Sequence, residues 1–294
     1  MLPMTVQEPT FPLPSQRKNN TFKADSGGFE LFLDGTPIYI GTSGYKHDDW
    51  LGTLYPQYLK NEQFLDYYAN SFGLNFVEIT YPFYAIPTVE TTARIAENGG
   101  EKLHYSVRLF KDFLKERLDK AKVREFLDGM QPLLETGRLK CWLADFHHTF
   151  KPSKENLERI LRLRDSFSDL PFFAELPRGW HREKQIDDLR NNAIGLVVAD
   201  MPRNNTLPPF MPCAPNQRAY FRLYGRNKSW TIPAKKVLDY SYVKPELEEI
   251  REGISNVTSV SKEIFVSFCN VAKAQGAYNA KYFTKMTDEG NEPL

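Results

Sequence analysis

The sequence predicts a (β/α)8 barrel, also called a TIM barrel, and three observations support this. Eight short apolar runs rich in β-branched and aromatic residues follow one another along the chain. Stretches with helical periodicity separate most of them, and alternation of strand and helix is typical of an all-parallel sheet. Eight such units over roughly 260 residues match the size of this fold, which is typically about 250 residues.

The predicted strands share their apolar, β-branched composition and cover residues 37–41, 75–80, 104–109, 141–146, 172–176, 195–200, 219–223 and 264–268. The predicted helices place apolar residues three and four positions apart and cover 62–72, 88–98, 113–134, 154–165, 183–191, 244–254 and 276–285. Ser153 is a suitable N-cap for one helix, and Pro245 lies at the first turn of another.

One unit of the predicted barrel is irregular, because residues 201–218 are too rich in proline for a helix. We interpret this segment as a long loop that lies across one end of the barrel. The alternative fold is a doubly wound open sheet, which usually carries a phosphate-binding glycine loop after its first strand. Gly41-Thr-Ser-Gly44 does not match that GxGxxG pattern, so the barrel is favoured.

The N-terminal segment 1–28 contains Pro3, Pro9, Pro12 and Pro14 among polar residues. It has no apolar core of the kind that a secretory signal requires. We expect it to be a disordered tail, followed by a single barrel domain over residues 29–294. The three cysteines lie far apart in sequence and indicate neither a disulfide framework nor a paired zinc motif. A reducing, cytoplasmic location is therefore expected.

Composition narrows the class of protein. Lys and Arg number 38 against 37 Asp and Glu, which gives a net charge of +1 and argues against a protein that coats nucleic acid. Hydrophobic residues make up 41% of the chain, enough for a large core. No apolar run approaches the length of about 18 residues that a membrane-spanning helix needs, so no membrane association is expected.

Polar side chains gather at the C-terminal ends of the predicted strands: Glu78, Thr80, Arg108, Asp145, Glu175, Asp200, Arg222 and Asn270. In a barrel these ends meet at one mouth, which holds the active site in this fold. The alternative is that these charges only neutralise one another as buried ion pairs. Buried pairs are weak stabilisers, so a functional cluster is favoured.

The candidate residues divide by chemistry. Glu78, Glu175 and Asp200 are candidate acid/base groups, and clustered carboxylates also suit a divalent metal. Arginines suit phosphate or carboxylate groups through bidentate hydrogen bonds, and aromatic rings can stack on a sugar. The candidate ligand-binding residues of this anion-binding pocket are Ser43, Tyr45, Tyr84, Arg108, Trp180, Arg222 and Asn270.

The order of several motifs resembles the YecE-like family, domain of unknown function number 72. These are IGTSGY, then DDW and LYP, then FVEITYPFYAIP, FFAELPRGW, VVADMP, AYFRLYGR and VSFCN with GAYNA, together spanning about residues 38–284. The resemblance implies a TIM barrel with a pocket at its C-terminal mouth, and it implies no particular reaction.

The family motifs map onto Thr42, Ser43, Gly44, Glu78, Phe83, Tyr84, Glu175, Trp180, Asp200, Arg222, Gly225 and Asn270. The chain departs from the family at Thr80 and Tyr81, at Arg108 in place of lysine, at Pro177-Arg178 in place of Arg-His, and at Cys269 in place of asparagine. These changes lie at the predicted mouth, so they are consistent with a different ligand or with lost activity.

Three functional hypotheses follow. The first is a barrel that binds a phosphorylated or sugar-containing small molecule at its mouth, as a metal-assisted isomerase or hydrolase. The second is a nucleic-acid-binding or DNA-processing barrel resembling endonuclease IV, and the third is a non-catalytic barrel that binds a small effector. The sequence decides neither whether the protein is an enzyme nor its oligomeric state.

Overall fold

The computed structural model describes residues 31–228 and 238–289, and the barrel strands all lie within them. The nine strands in chain order are β1 Phe32–Leu33, β2 Thr36–Ser43, β3 Phe76–Ile79, β4 His104–Arg108, β5 Leu139–Asp145, β6 Phe172–Glu175, β7 Gly195–Asp200, β8 Ala219–Leu223 and β9 Ile264–Phe268. From β2 to β9 each strand pairs in parallel with the next, and β9 pairs with β2 to close the barrel. The predicted (β/α)8 fold is confirmed.

Helices connect most of these strands on the outside of the barrel. The α-helices are α1 Phe64–Asp66, α2 Val89–Asn98, α3 Lys120–Glu135, α4 Lys154–Asp165, α5 Glu183–Asn191, α6 Lys244–Ser255 and α7 Gln275–Glu289. A π-helical segment, Tyr67–Phe72, continues α1. Short 3₁₀ helices cover Asp48–Trp50, Asn61–Gln63, Tyr81–Phe83, Lys111–Leu114, Arg178–Trp180, Thr258–Val260 and Ala272–Ala274. No helix in the described parts of the chain combines the length and apolarity needed to cross a bilayer.

The strand β1 was not predicted, because only two residues form it. It pairs antiparallel with the start of β2, with Leu33 opposite Thr36. The connecting turn places Asp34 and Gly35 at positive φ, the backbone conformation that a tight hairpin requires. The predicted tail, 1–28, lies outside the described residues.

The predicted helix over 113–134 is two shorter elements. Lys111–Leu114 forms a 3₁₀ turn, and α3 begins only at Lys120. Asp119 separates them, since its carboxylate accepts hydrogen bonds from the amides of Ala121 and Lys122. An aspartate in this role caps the start of a helix and therefore cannot lie in the middle of one.

The proline-rich segment 201–218 contains no helix, as predicted, but it does not simply lie across one end of the barrel. Because β7 and β8 are parallel, this segment must run from the C-terminal end of β7 to the N-terminal end of β8. The Phe210 ring packs 6.2 Å from that of Phe221 and lies against Gly253 of α6. Near its other end, Asn216 lies against Gly195. The segment thus covers the flank of the barrel where other units have a helix.

The inside of the barrel has an apolar lower layer and a polar upper layer. The lower layer consists of Phe76, Cys141, Leu143, Phe173, Val197, Tyr220 and Phe265, with Tyr39 packed against it. Every second residue of a strand faces the same side, so the residues two positions after Phe76, Leu143, Phe173 and Tyr220, which are Glu78, Asp145, Glu175 and Arg222, also point inwards. They form the upper layer at the C-terminal ends, which we call the mouth.

We predict that Gly41→Ala destabilises the fold severely. A Cβ at this position would overlap the Phe76 carbonyl oxygen in the neighbouring strand β3 and crowd the Tyr68 hydroxyl. Because two hydrogen-bonded barrel strands cannot separate locally, we expect a loss of at least about 3 kcal/mol, at the upper end of single-substitution effects. Urea unfolding followed by circular dichroism measures this loss.

Gly73→Ala is the matched control. Gly73 has φ of 84° and no atom within 4 Å of the added Cβ, so only backbone strain of about 1–2 kcal/mol applies. Equal losses for the two variants would show that strand β3 yields to the added methyl group.

Candidate functional site at the barrel mouth

Arg222 lies at the centre of the mouth, and its neighbours explain how a guanidinium fits there. Its register partners are Ala199 on β7 and Ser267 on β9. Because both side chains are small, the long side chain of Arg222 has room to cross the barrel towards β3, β5 and β6. There it meets three carboxylates, although only 2% of the residue is exposed.

The three carboxylates belong to Glu78, Asp145 and Glu175. Arg222 Nη2 lies 2.9 Å from Glu78 Oε1, and Nη1 lies 3.1 Å from Asp145 Oδ2. The same Nη1 also donates to Glu175 Oε2. Arg108 Nη2 contacts Asp145 Oδ2 at 2.6 Å. We refer to Glu78, Arg108, Asp145, Glu175 and Arg222 as the mouth cluster.

Glu78 is the most deeply enclosed member of the mouth cluster. It is completely buried. Its Oε1 accepts a hydrogen bond from Ser43 as well as from Arg222, and its Oε2 accepts one from the Tyr220 hydroxyl at 2.9 Å. Ser106 in turn lies 2.8 Å from the Tyr220 hydroxyl. A carboxylate with this many donors and no exposure is suited to holding Arg222 in place rather than to meeting a ligand.

Asp145, Arg108 and Glu175 form the side of the mouth cluster that meets solvent. The side chains of Arg108 and Asp145 are 18% and 19% exposed, and that of Glu175 is 10% exposed. The Phe83 ring covers the Arg108 guanidinium, with 3.6 Å between the guanidinium carbon and the ring centroid. A ligand entering the barrel would therefore meet these three side chains first.

Burial and charge act on Glu175 in opposite directions. Burial raises the pKa of Glu175, Arg222 lowers it, and the neighbouring Asp145 raises it again, so that the net pKa lies above the ordinary value. For Arg222, burial alone would lower the pKa, but Glu175 and Glu78 hold it well above the usual value. The mouth thus pairs a charged arginine with a carboxyl group whose pKa lies above its ordinary value.

Asp200 lies outside the mouth cluster. The expectation that it meets the other two candidate acid/base groups, Glu78 and Glu175, at the mouth is therefore wrong. Asp200 shares its face of β7 with Leu196 and Val198, which belong to the outer core between strands and helices. Its carboxylate accepts hydrogen bonds from Arg226 and from the Tyr242 hydroxyl, outside the barrel.

Asn270, which follows β9, also lies outside the mouth, because alternate residues of a strand face opposite sides. The expectation that Asn270 lies at the mouth is wrong, because Ser267 and Cys269 face the interior instead. Asn270 Nδ2 donates to the Tyr240 carbonyl and to the Asn279 side chain on α7. Asn270 therefore joins α7 to the segment before α6, and it makes no contact with the mouth cluster.

The remaining predicted ligand-binding residues lie around the mouth with different exposure. Ser43 donates to Glu78 within it. Tyr84 is 65% exposed on the rim, and Tyr45 is partly buried in the loop after β2. Trp180 is almost wholly buried, where its indole donates to the Phe150 carbonyl. Whether these residues bind a ligand stays a prediction, and for Trp180 such binding would require the covering Phe150 loop to move.

The carboxylates that the sequence offered as metal ligands accept hydrogen bonds from arginine and hydroxyl donors instead. Within 31–228 and 238–289, no group of three His, Cys, Asp or Glu side chains is arranged to hold a metal ion.

Asp145 and Tyr220 are part of the site, although neither was predicted from the sequence as a candidate site residue. Asp145 was recognised as a polar strand end but not as a candidate ligand or catalytic residue. Its inward orientation is visible in the alternation Cys141, Leu143, Asp145 along β5. Tyr220 gave no such signal, because an aromatic residue in a strand predicts packing, and only the structure shows its hydroxyl on Glu78.

Fold and site together define the class of this protein: a closed (β/α)8 barrel with a buried ionic cluster at its C-terminal mouth. The sequence profile described as "Protein of unknown function DUF72" matches residues 39–294. The chain belongs to the DUF72 family, which confirms the resemblance seen in its motifs.

Solved structures support this membership. A DUF72 family protein from Thermotoga maritima is 34% identical, with a TM-score of 0.77 over 85% of this chain and 99% of that one. A DUF72 family protein from Enterococcus faecalis is 25% identical, with a TM-score of 0.75 over 85% and 95% of the two chains. Among curated sequences, the UPF0759 protein YunF of Bacillus subtilis is 24% identical over 277 residues, which cover 85% of this chain and 95% of that protein.

We predict that Arg222→Met destabilises the protein by about 3–5 kcal/mol, the size expected when one partner of a buried ion pair is removed. Adding Glu78→Gln should restore part of this loss, because Glu78 is the carboxylate that cannot reach water. Urea unfolding at pH 7 of the two single variants and the double variant measures the coupling. Additive losses would contradict the central role of the Arg222–Glu78 pair.

The raised pKa of Glu175 predicts a pH-dependent effect of Glu175→Gln. The folded protein binds this proton more tightly than the unfolded chain, so the contribution of Glu175 is fully present below the ordinary Glu pKa of about 4.3 and is lost as pH rises through the raised value. The stability of Glu175→Gln relative to the native protein should therefore increase from pH 4 to pH 8 in chemical denaturation.

Glu155→Gln is the control with opposite sign. Hydrogen bonds from its own amide and from Ser153 lower the pKa of Glu155, so its contribution is present at neutral pH and is lost in acid. Parallel pH slopes for the two variants would contradict the environment described for Glu175.

Proposed function

We propose that the mouth binds a small sugar-containing molecule and acts on it by acid–base catalysis, as an isomerase or a hydrolase. Glu175 would serve as the general acid and Asp145 as the general base. One observation carries the proposal: the two carboxyl groups lie on adjacent strands, opposite each other in register, and both contact Nη1 of Arg222. Two carboxyl groups in different environments are the usual means of separating an acid from a base.

The charge of the mouth cluster favours the sugar-containing part of the initial hypothesis over the phosphorylated part. The carboxyl groups of Glu78, Asp145 and Glu175 already surround the two arginines, Arg108 and Arg222. Arg222 is committed to carboxylates, and Arg108 holds Asp145 at 2.6 Å. A phosphate would have to displace one of these contacts, whereas hydroxyl groups can add hydrogen bonds without disturbing them.

The aromatic residues on the rim suit a sugar ring. The Phe83 and Tyr84 rings meet edge to face at 5.1 Å, with Phe83 on Arg108 and Tyr84 largely exposed. An exposed aromatic face next to hydrogen-bonding groups can take the apolar face of a sugar. The metal-assisted form of the reaction would additionally require Asp145 or Glu175 to leave Arg222, so the proposal is built on the side chains alone.

A thermal-shift screen tests this proposal. The panel contains neutral sugars, sugar phosphates, nucleotides, short oligonucleotides and divalent metals. A ligand at 100 times its Kd should add about 2.7 kcal/mol of stability. We expect a neutral sugar or sugar derivative to raise Tm, and we expect Glu175→Gln and Asp145→Asn to weaken this shift. Glu263→Gln removes a carboxylate that pairs with Arg218 just before β8 and β9, at the opposite end of the barrel, and should preserve it.

Three other results of this screen would contradict the proposal, and each would favour a different function or a different site. Stabilisation by oligonucleotides that weakens steeply with salt would favour the nucleic-acid-binding barrel. Tight binding of one compound without chemical change, measured by NMR of the bound ligand over several hours, would favour the effector-binding barrel. Loss of the shift in Glu263→Gln but not in Glu175→Gln would move the site out of the mouth.

A further inference from the structure

Tyr224 follows β8 directly, and its backbone is fixed from two sides. The Tyr224 amide donates to the Asp200 carbonyl at 3.0 Å, and the Gly225 amide donates to the Tyr242 hydroxyl at 2.7 Å. Gly225 has φ of 97°, and a Cβ there would meet the Tyr240 side chain at 2.5 Å. The direction in which the Tyr224 side chain leaves the backbone is therefore set by the chain itself.

The Tyr224 hydroxyl reaches Glu175 across the mouth. It lies 2.8 Å from Oε1 and 3.0 Å from Oε2 of Glu175. The ring also lies next to the Arg222 guanidinium, with 5.1 Å between guanidinium carbon and ring centroid. Arg222 donates to Oε2 from the other side. The carboxyl group is thus held by a phenol and a guanidinium at once.

We propose that Tyr224 is a positioning residue for Glu175: its hydroxyl holds the carboxyl group against Arg222 in one orientation, next to Asp145. The inference deepens the proposed function and depends on it for its role in catalysis. The hydrogen bonds that carry it do not depend on the identity of any ligand.

The groups that face Glu175 determine what losing this hydrogen bond would do. Among the described residues they are Arg222 on β8, Tyr224 directly after it, Asp145 on β5 and Cys269 after β9, with Glu78 on the far side of Arg222. A hydroxyl that donates to a carboxylate stabilises its ionised form. Without the phenol hydroxyl, Arg222 is the remaining hydrogen-bond donor to Glu175 among the described residues, whereas burial and Asp145 still raise the pKa of Glu175. This pKa should therefore rise further.

The test is a titration of Glu175 in Tyr224→Phe, followed by NMR of protein labelled with ¹³C at the glutamate carboxyl carbon. The Glu175 signal is assigned by its absence in Glu175→Gln. We expect the midpoint to rise by about one pH unit, which corresponds to the loss of one charge-assisted hydrogen bond. An unchanged or lower midpoint would overturn the proposal.

Tyr105→Phe is the control. It also removes the hydroxyl of a buried tyrosine, which donates to the Ile95 carbonyl at 3.2 Å on the outside of the barrel and does not contact the turn after β8. Only Tyr224→Phe should move the Glu175 midpoint. A shift of equal size in Tyr105→Phe would assign the effect to general loosening and overturn the proposal.

Site-specific 3-fluorotyrosine at position 224 keeps the hydrogen bond and makes the phenol a stronger donor. It should lower the Glu175 midpoint, and it serves as the deciding variant if Tyr224→Phe does not fold. The two proposals fail separately. If no sugar binds in the screen but the Glu175 midpoint shifts in Tyr224→Phe, the proposed function is wrong and Tyr224 still positions Glu175. If a sugar binds at the mouth but the midpoint does not shift, the proposed function stands and the role of Tyr224 is wrong.

Discussion

Burial of the Arg222 guanidinium is the constraint on which the mouth of this barrel depends. A charge with so little access to water persists only when carboxylates surround it, and Glu78, Asp145 and Glu175 reach it from three other strands. These contacts join β8 to β3, β5 and β6 across the interior. Each of these three carboxylates therefore already binds Arg222, and a ligand can contact only those atoms of the mouth cluster that remain exposed.

Much of the fold follows from local sequence. The eight barrel strands are visible as apolar runs, and α4 and α5 are observed with the predicted bounds because periodicity and flanking residues agree there. Prediction failed where one residue changed the local structure. Asp119 begins a helix in the middle of an apolar periodic stretch. The 62–72 segment also has helical spacing, but its turns change from 3₁₀ to α to π before Gly73 ends it.

The site could be predicted only in part, because barrel strands are apolar on both faces. Amphipathic strands reveal which face is buried, whereas parallel barrel strands do not. Glu78, Arg108, Glu175 and Arg222 were placed at the mouth correctly. Asp200 ends β7 and Asn270 follows β9, but both side chains face outwards, and no feature of GLVVAD or IFVSFCN reveals this. The inward face is recognised only from the register of neighbouring strands.

The outward position of Asp200 still connects it to the mouth. Its carboxylate accepts hydrogen bonds from Arg226 and Tyr242, and the Tyr242 hydroxyl accepts one from the Gly225 amide. The Asp200 carbonyl accepts one from the Tyr224 amide. These bonds hold the turn after β8 from outside, and that turn directs Tyr224 inwards to Glu175. A carboxylate that never faces the ligand thus helps to orient one that does, because both act on the same few residues of backbone.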